Sequence, residues 1–187
     1  MLGLGSSLIT SGVTRNKITV TYLSDFSSDV DGWATFSSAN SAITANVDAE
    51  GETDLLQWAW SGDSDGTVYI RRTMDSTVSD QAGRGTTEFT LSFEFYYDDA
   101  DSSGVDGNAV NFLTAIGGFA PTDIAGAVSP STLAPDGWRT ASATFTAGAT
   151  TPSSDFLYIG FNSTADAPTS GDKIYLKNIN FEYTYTD

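Results

Sequence analysis

The sequence predicts an all-β protein built as a single antiparallel β-sandwich. Apolar and polar residues alternate along several short segments, most clearly in residues 88–97. In that segment the side chains that share one face are Phe89, Leu91, Phe93, Phe95 and Tyr97. The 18 glycines fall largely between such segments and mark turns. At 187 residues the chain is long enough to bury one sizeable core.

The other strands are predicted from the same period of two. Residues 17–23 form the first strand because four β-branched residues follow one another from Ile18 to Thr21. The remaining alternating segments are residues 43–47, 56–60, 68–71, 141–145, 157–161 and 174–183. In the last of these the apolar positions change phase after Leu176, which predicts a β-bulge at Lys177 and Asn178.

Two long stretches of the chain are predicted to be loops. No segment shows a helical period. Residues 98–108 and 117–137 are expected to be long loops on a rigid frame, where recognition often takes place.

The four tryptophans are expected in two environments. Trp58 and Trp60 share the apolar face of one predicted strand, and we expect them in the core. Trp33 and Trp138 each follow an Asp-Gly turn, and we expect them to close the ends of the sandwich.

Charge is distributed unevenly along the chain. There are 24 acidic and eight basic residues, giving a net charge of −16. All the acidic residues follow residue 24, whereas the segment before them carries Arg15 and Lys17. An acidic surface repels phosphate, so nucleic acid is excluded as a partner of the sandwich.

The sequence contains neither cysteine nor histidine. Nucleophilic triads and imidazole acid–base chemistry therefore have no candidates. Paired carboxylates could hydrolyse glycosides, but nearly all the acidic residues lie in turn sequences such as residues 61–66. We therefore predict a protein that is not an enzyme.

The first residues are predicted to form a docking arm. Residues 1–18 are the arm and residues 19–187 the sandwich. An extended segment of this kind can add to the sheet of a neighbouring subunit, which predicts a homo-oligomer. The residues expected to make these contacts are Leu4, Leu8, Ile9, Val13, Arg15 and Lys17. The alternative is a frayed terminus.

A candidate sugar-binding surface follows from strand phase. If Phe89, Phe93 and Phe95 fill the core, Glu94 and Tyr96 point outward. The neighbours with matching phase are Gln57, Tyr69 and Arg71. Aromatic rings beside amide, carboxylate and guanidinium groups suit a shallow glycan cleft. The alternative is that the tyrosines are ordinary strand residues or subunit contacts.

One segment partly matches a calcium-binding loop. Asp99, Asp101, Ser103 and Gly104 follow the spacing at the start of such a loop, with Asp106 beyond them, but Val110 stands where the bidentate acid is expected. A structural calcium ion and a solvated acidic hairpin tip therefore remain alternatives, and no other cofactor is predicted.

Four motifs together resemble the jelly-roll carbohydrate-binding modules attached to many xylanases and glucanases. They are Asp25-Phe26 with Asp31-Gly32-Trp33, residues 89–95, Trp138 with residues 140–146, and residues 175–179. The resemblance covers residues 19–185 and implies a single jelly roll. It also implies a structural calcium held by two acids, but Ser27 and Lys177 occupy those positions, so that site is expected to be lost.

The first eight residues are similar to the opening of small bacteriophage virion proteins. They lack the basic start and the solid apolar run of a secretory signal. No stretch of the sequence approaches the ~20 apolar residues that a membrane span needs. The resemblance implies a protein assembled into a virion in the host cytoplasm, with no membrane partner.

These observations lead to two predicted functions. The first is a non-enzymatic structural protein of a phage particle, either a head decoration (cement) subunit or a tail or fibre component, which contacts other virion proteins. The alternative is a carbohydrate-binding module or host-glycan adhesin that uses the outer face of a sheet.

Overall fold

The structure is a computed structural model, and it describes residues 15–36, 40–62, 68–98, 111–117, 122–123, 137–146, 155–162 and 168–186. Within these ranges there are eleven strands and one helix. The strands are β1 (Lys17–Leu23), β2 (Trp33–Phe36), β3 (Ser41–Ala49), β4 (Glu52–Trp60), β5 (Val68–Thr73), β6 (Glu88–Asp98), β7 (Asn111–Ile116), β8 (Thr122–Asp123), β9 (Arg139–Thr146), β10 (Phe156–Asn162) and β11 (Lys173–Thr186). Helix α1 (Ser76–Gly83) lies between β5 and β6.

The strands form two antiparallel sheets. The six-stranded sheet has the order β3-β4-β11-β6-β9, and β1 also pairs with β11. The five-stranded sheet has the order β2-β5-β10-β7-β8. Apolar side chains from the two sheets share one core, so the predicted all-β jelly-roll sandwich is confirmed.

Strand β11 organises the six-stranded sheet. Its first half pairs with β4 and its second half with β1, while β6 runs along its other side. The register against β6 shifts between Lys177 and Asn180, and Asn178 has a left-handed φ of 53°. The predicted bulge is therefore confirmed. It brings Ile179 inward after Lys177 has pointed outward.

The core is dominated by aromatic side chains. Trp58 and Phe89 are 0% exposed, and Trp33 and Trp60 are also buried. The Phe89 ring stacks on Phe181 with centroids 5.7 Å apart and an angle of 8° between the ring planes. The inward face predicted for residues 89–95 and the core positions predicted for Trp58 and Trp60 are confirmed.

The prediction of no helix is wrong. The backbone N–H of Thr77 donates to Asp75 Oδ1 at 2.8 Å, which caps the first turn of α1. Val78 and Ala82, four residues apart, are buried against the core. Eight residues with two apolar side chains are too few to show a helical period in the sequence.

Three strands were also missed. β8 lies inside the predicted loop 117–137, and β2 and β7 correspond to none of the predicted strands. In β7, Phe112 and Ile116 face the main core, while Leu113 and Ala115 are buried on the opposite face. A strand buried on both faces has no alternation of apolar and polar residues to detect.

A buried tyrosine makes stability depend on high pH. Tyr183 is 2% exposed, and burial raises its pKa well above the ordinary value of 10.0, with Tyr22 and Tyr185 raising it further. The unfolded chain would lose this proton near pH 10 and the folded chain would not. We therefore expect ionisation of Tyr183 to leave the free energy of unfolding unchanged below pH 10. Above pH 10 it should lower that free energy by up to about 1.4 kcal/mol per pH unit.

Urea denaturation between pH 9 and pH 11.5 checks this. Tyr183→Phe should show a shallower decline than the wild type above pH 10, because the titrating phenol is gone. An identical decline in both proteins would contradict the prediction.

Candidate functional site

The outer face of the six-stranded sheet carries three aromatic rings in a line across the strands. Tyr175 of β11 lies opposite Gln57 of β4 on one side and Tyr96 of β6 on the other. The Tyr96 ring is 6.4 Å from the Tyr175 ring and 5.9 Å from the ring of Trp138, which precedes β9. We call Tyr175, Tyr96 and Trp138 the aromatic row.

Strand alternation sets the direction of these side chains. Tyr175 lies between Ile174 and Leu176, both 0% exposed in the core, so it points to the opposite face. Tyr96 points outward for the same reason, since Phe95 before it is buried. Tyr96 and Trp138 are half-buried, whereas Tyr175 is 6% exposed.

A lysine flanks the row at the bulge. Lys177 Nζ lies 2.9 Å from Glu52 Oε1, 3.4 Å from Glu94 Oε2 and 4.3 Å from the centre of the Trp138 ring. Asn178 Nδ2 donates to Glu94 Oε1 at 2.8 Å. The ammonium therefore links β4, β6 and β11 and holds a charge above the indole.

A second lysine flanks the row on its other side. Lys173 Nζ lies 3.4 Å from Asp98 Oδ2. The Tyr175 phenol, followed by Asp98, raises the pKa of the Lys173 ammonium. Burial raises the pKa of the Tyr175 phenol. The aromatic row thus runs between two lysine–carboxylate groups, which offer both hydrogen-bond donors and acceptors.

A cleft of about 340 Å³ adjoins the row at Lys177. It forms where β1 and β4 separate along the side of β11, next to the bulge. Its lining includes Leu23, Glu52 and Asn178. Glu52 and Lys177 belong to both the cleft and the flank of the row, so the two features form one continuous surface.

The five predicted sugar-binding residues lie on two different sheets. Gln57, Glu94 and Tyr96 come together on the outer face of the six-stranded sheet. Tyr69 and Arg71 belong to β5 of the five-stranded sheet, so the expectation of one common face is wrong for these two. Alternation shows which side of a strand a residue occupies, but it does not show which sheet the strand joins.

Tyr69 and Arg71 lie in a closely packed layer of their own. Tyr69 is 3% exposed, and a Cβ atom added at Gly160 would lie 2.3 Å from its ring. The Arg71 guanidinium lies 4.6 Å from the Phe36 ring centre and 4.1 Å from that of Phe156. These contacts hold the two side chains against their own sheet.

Several residues of the surface were not predicted as site residues, among them Tyr175, Lys177 and Trp138. Trp138 was expected to close an end of the sandwich, but it lies beside Tyr96 on the outer face. The position of Tyr175 between two apolar residues indicates that its side chain points away from the core, and this could be read from the sequence. The pairing of Lys177 with Glu52 joins residues far apart in the chain, and nothing local indicates it.

Several predicted positions lie outside the described residues. These are Leu4, Leu8, Ile9 and Val13 of the arm, and Asp99, Asp101 and Asp106 of the calcium-loop segment. Of the basic arm residues, Arg15 precedes β1 and Lys17 begins it, so the last arm residues belong to the sandwich. In the part of the chain that the structure describes, no three acidic side chains cluster as a metal site would require.

Several solved structures share the fold of this chain. The second xylan-binding module of xylanase Xyn10C from Paenibacillus barcinonensis, a family 22 carbohydrate-binding module, matches with a TM-score of 0.61 at 10% identity. That match covers 86% of this chain and 97% of the module. The first module of the same enzyme matches with a TM-score of 0.55 at 9% identity, over 88% of this chain and 92% of that one. The chain shares the jelly-roll fold of these modules.

A larger protein contains the same fold. Xylanase 10B of Clostridium thermocellum, solved as a family 22 module with its catalytic module and xylohexaose, matches with a TM-score of 0.57 at 13% identity. The match covers 86% of this chain and 28% of that one, so the present chain corresponds to only part of it. No family model matches the sequence, and no curated protein does. Among the residues described, no helix is long and apolar enough to cross a membrane.

Proposed function

We propose that this chain is a non-catalytic glycan-binding module, with the ligand lying along the aromatic row. The observation that carries the proposal is the alignment of Tyr175, Tyr96 and Trp138 across adjacent strands, with Gln57 continuing the line. The half-buried rings of Tyr96 and Trp138 give a sugar chain apolar surface to contact, and the buried ring of Tyr175 packs beside Tyr96. The fold shared with xylan-binding modules supports this role.

The charges around the row favour a neutral, hydroxyl-rich polysaccharide. Each flanking lysine is paired with a carboxylate, so neither adds an unbalanced cation for an anionic sugar. The net charge of −16 repels polyanions over longer distances. Paired ammonium and carboxylate groups can exchange hydrogen bonds with sugar hydroxyls.

The same pairs oppose glycoside hydrolysis. A glycosidase needs two carboxyl groups free to face the scissile bond. The carboxylates of Glu94 and Asp98 are instead each engaged by a lysine, at 3.4 Å from Lys177 Nζ and Lys173 Nζ. We therefore assign these acids to hydrogen bonding and not to catalysis.

Binding to a panel of polysaccharides that includes xylan tests the proposal. Tyr96→Ala should weaken binding by about 10-fold or more, because it removes the central ring of the row. Arg71→Ala is the matched control and should leave binding unchanged. The sequence predicts Arg71 as a sugar-binding residue from the same strand phase, but it lies on the other sheet. Isothermal titration calorimetry with the polysaccharide that binds gives both affinities.

Two outcomes would contradict the proposal. One is the absence of binding across neutral polysaccharides of several backbone types. The other is binding that survives Tyr96→Ala and is lost in Arg71→Ala. Thermal unfolding of each variant shows that a loss of binding is not a loss of fold.

The virion role predicted from the first residues remains a prediction. It rests on the sequence of the first eight residues, which lie outside the described residues. The two roles are compatible, because a glycan-binding module on the surface of a particle would hold it near glycan-coated cells.

A further inference from the structure

Strand β1 is an edge strand of the six-stranded sheet. Among the described residues it pairs with β11 alone, over its full length from Lys17 to Leu23. We infer that β1 pairs antiparallel with β1 of a second copy of this chain, which joins the two six-stranded sheets into one. The inference concerns this edge and does not depend on the proposed ligand.

The hydrogen-bonding groups of β1 alternate between β11 and the edge. The N–H of Ser24 donates to the carbonyl of Ile179 at 2.9 Å, and this pair continues the register of Leu23 with Asn180. In an antiparallel ladder every second residue bonds the same neighbour. The even-numbered residues therefore bond β11. The residues that direct their N–H and C=O groups to the edge are Lys17, Thr19, Thr21 and Leu23.

This edge lacks the features that usually prevent pairing. β1 has a continuous register, contains no proline, and has no charged residue pointing inward. β3, an edge strand on the same side of β11, differs, because it has two register shifts and a left-handed residue, Asn46. Bulges of that kind twist an edge away from partners. β1 is therefore better suited than β3 to pair with an added strand.

The inward side chains of β1 are incompletely covered. Ile18, Val20 and Tyr22 are half-buried, whereas Phe181 and Tyr183 of the adjacent strand are 1% and 2% exposed. A further strand beside β1 would cover these three apolar side chains. Among the described residues, none lies beside β1 on the side away from β11 in the sheet, which leaves room for a further strand there.

The residue pattern favours a second copy as that neighbour. With Val20 at the two-fold axis, Thr19 faces Thr21 of the second copy and Ile18 faces Tyr22. Odd-numbered residues then face odd-numbered ones, as the direction of the edge groups requires. Leu23, which is 64% exposed, comes to lie opposite the alkyl chain of Lys17.

Such a dimer would present both aromatic rows on one side. An axis that relates two antiparallel strands within one sheet is perpendicular to that sheet, so the outer faces of both copies point the same way. The two rows could then bind one polysaccharide, and binding would gain from the raised effective concentration. This consequence rests on the proposed function, whereas the dimer does not.

Two double variants test the pairing. The like-charge variant, Thr19→Lys with Thr21→Lys, places two ammonium groups opposite each other across the axis. The opposite-charge variant, Thr19→Glu with Thr21→Lys, places a carboxylate opposite an ammonium there. Both positions are exposed, and both variants put the same new ammonium group beside Glu182 within one copy. The variants therefore differ only in the charge at position 19.

Sedimentation equilibrium of the full chain at low ionic strength measures the dimer. We expect the wild type to be a dimer. We expect the dimer dissociation constant of the like-charge variant to be about 10-fold larger than that of the opposite-charge variant. A wild-type monomer, or an equal effect of both variants, would overturn the inference. So would loss of the dimer on deleting residues 2–14, because the contact would then belong to those residues.

The proposed function has a separate readout. Titration with short oligosaccharides reports each site by itself, whatever the oligomeric state. A dimer that binds no glycan would contradict the proposed function and leave the β1 dimer standing. A monomer that binds glycan through Tyr96 would contradict the β1 dimer and leave the proposed function standing.

Discussion

Lys177→Met is expected to lower the free energy of unfolding by about 2 kcal/mol. The side chain is 16% exposed and its ammonium contacts carboxylates of two different strands. Methionine keeps most of the volume but leaves Glu52 and Glu94 facing each other without a counter-ion. The same substitution removes the cation from the Trp138 ring, so glycan affinity should fall as well.

Lys173→Met is the matched control for this effect. Lys173 is on the same strand and the same face, but its side chain and that of Asp98 are each 37% exposed. An exposed pair of this kind contributes at most about 1 kcal/mol, so the control should change stability by less than half as much. Urea denaturation of both variants provides the comparison. Equal changes in the free energy of unfolding would show that the ion pairs of Lys177 contribute no more than an ordinary surface ion pair.

Phe89→Ala is expected to have the largest effect on stability, about 4 kcal/mol. The ring is 0% exposed and contacts the rings of Phe145, Phe181 and Tyr183, at centroid distances of 5.8, 5.7 and 5.3 Å. Removing it leaves a cavity among stiff aromatic rings, which cannot collapse easily to fill the space. A domain of ordinary stability would lose a large part of its free energy of unfolding.

Thr90→Ala provides the control for this prediction. Thr90 is the next residue of β6 and points to the outer face, where its hydroxyl lies 3.3 Å from that of Thr144. Its loss should change stability by about 0.5 kcal/mol or less. Denaturant midpoints of the two variants measure the difference. Comparable losses at both positions would mean that the assignment of inner and outer faces in β6 is wrong.

Strand faces could be predicted because they follow from local geometry. Phe89, Phe93 and Phe95 lie in the core as their spacing indicates, and the change of phase after Leu176 marks the observed bulge. Each of these inferences needs only the rule that neighbouring side chains of a strand point to opposite sides. Where one strand is buried on both sides, as β7 is, that rule has nothing to detect.

The composition of the candidate surface could be predicted only in part. Gln57, Glu94 and Tyr96 were found from phase, but Tyr69 shares that phase and lies on the other sheet. Trp138 was misplaced because its contact with Lys177 depends on how β9 and β11 both flank β6. Such contacts are set by strand order, which links residues far apart in the chain.

The amino-acid order by itself determined that this chain is an acidic β-sandwich, which residues of most strands turn inward, and where its longest strand bulges. Those properties arise from neighbours a few positions apart. Only the tertiary structure decided that Tyr175, Tyr96 and Trp138 lie in line between two lysines, and that β1 pairs with β11 alone among the described residues. Both depend on which strands lie side by side, and that choice is made by packing and backbone pairing over the whole chain.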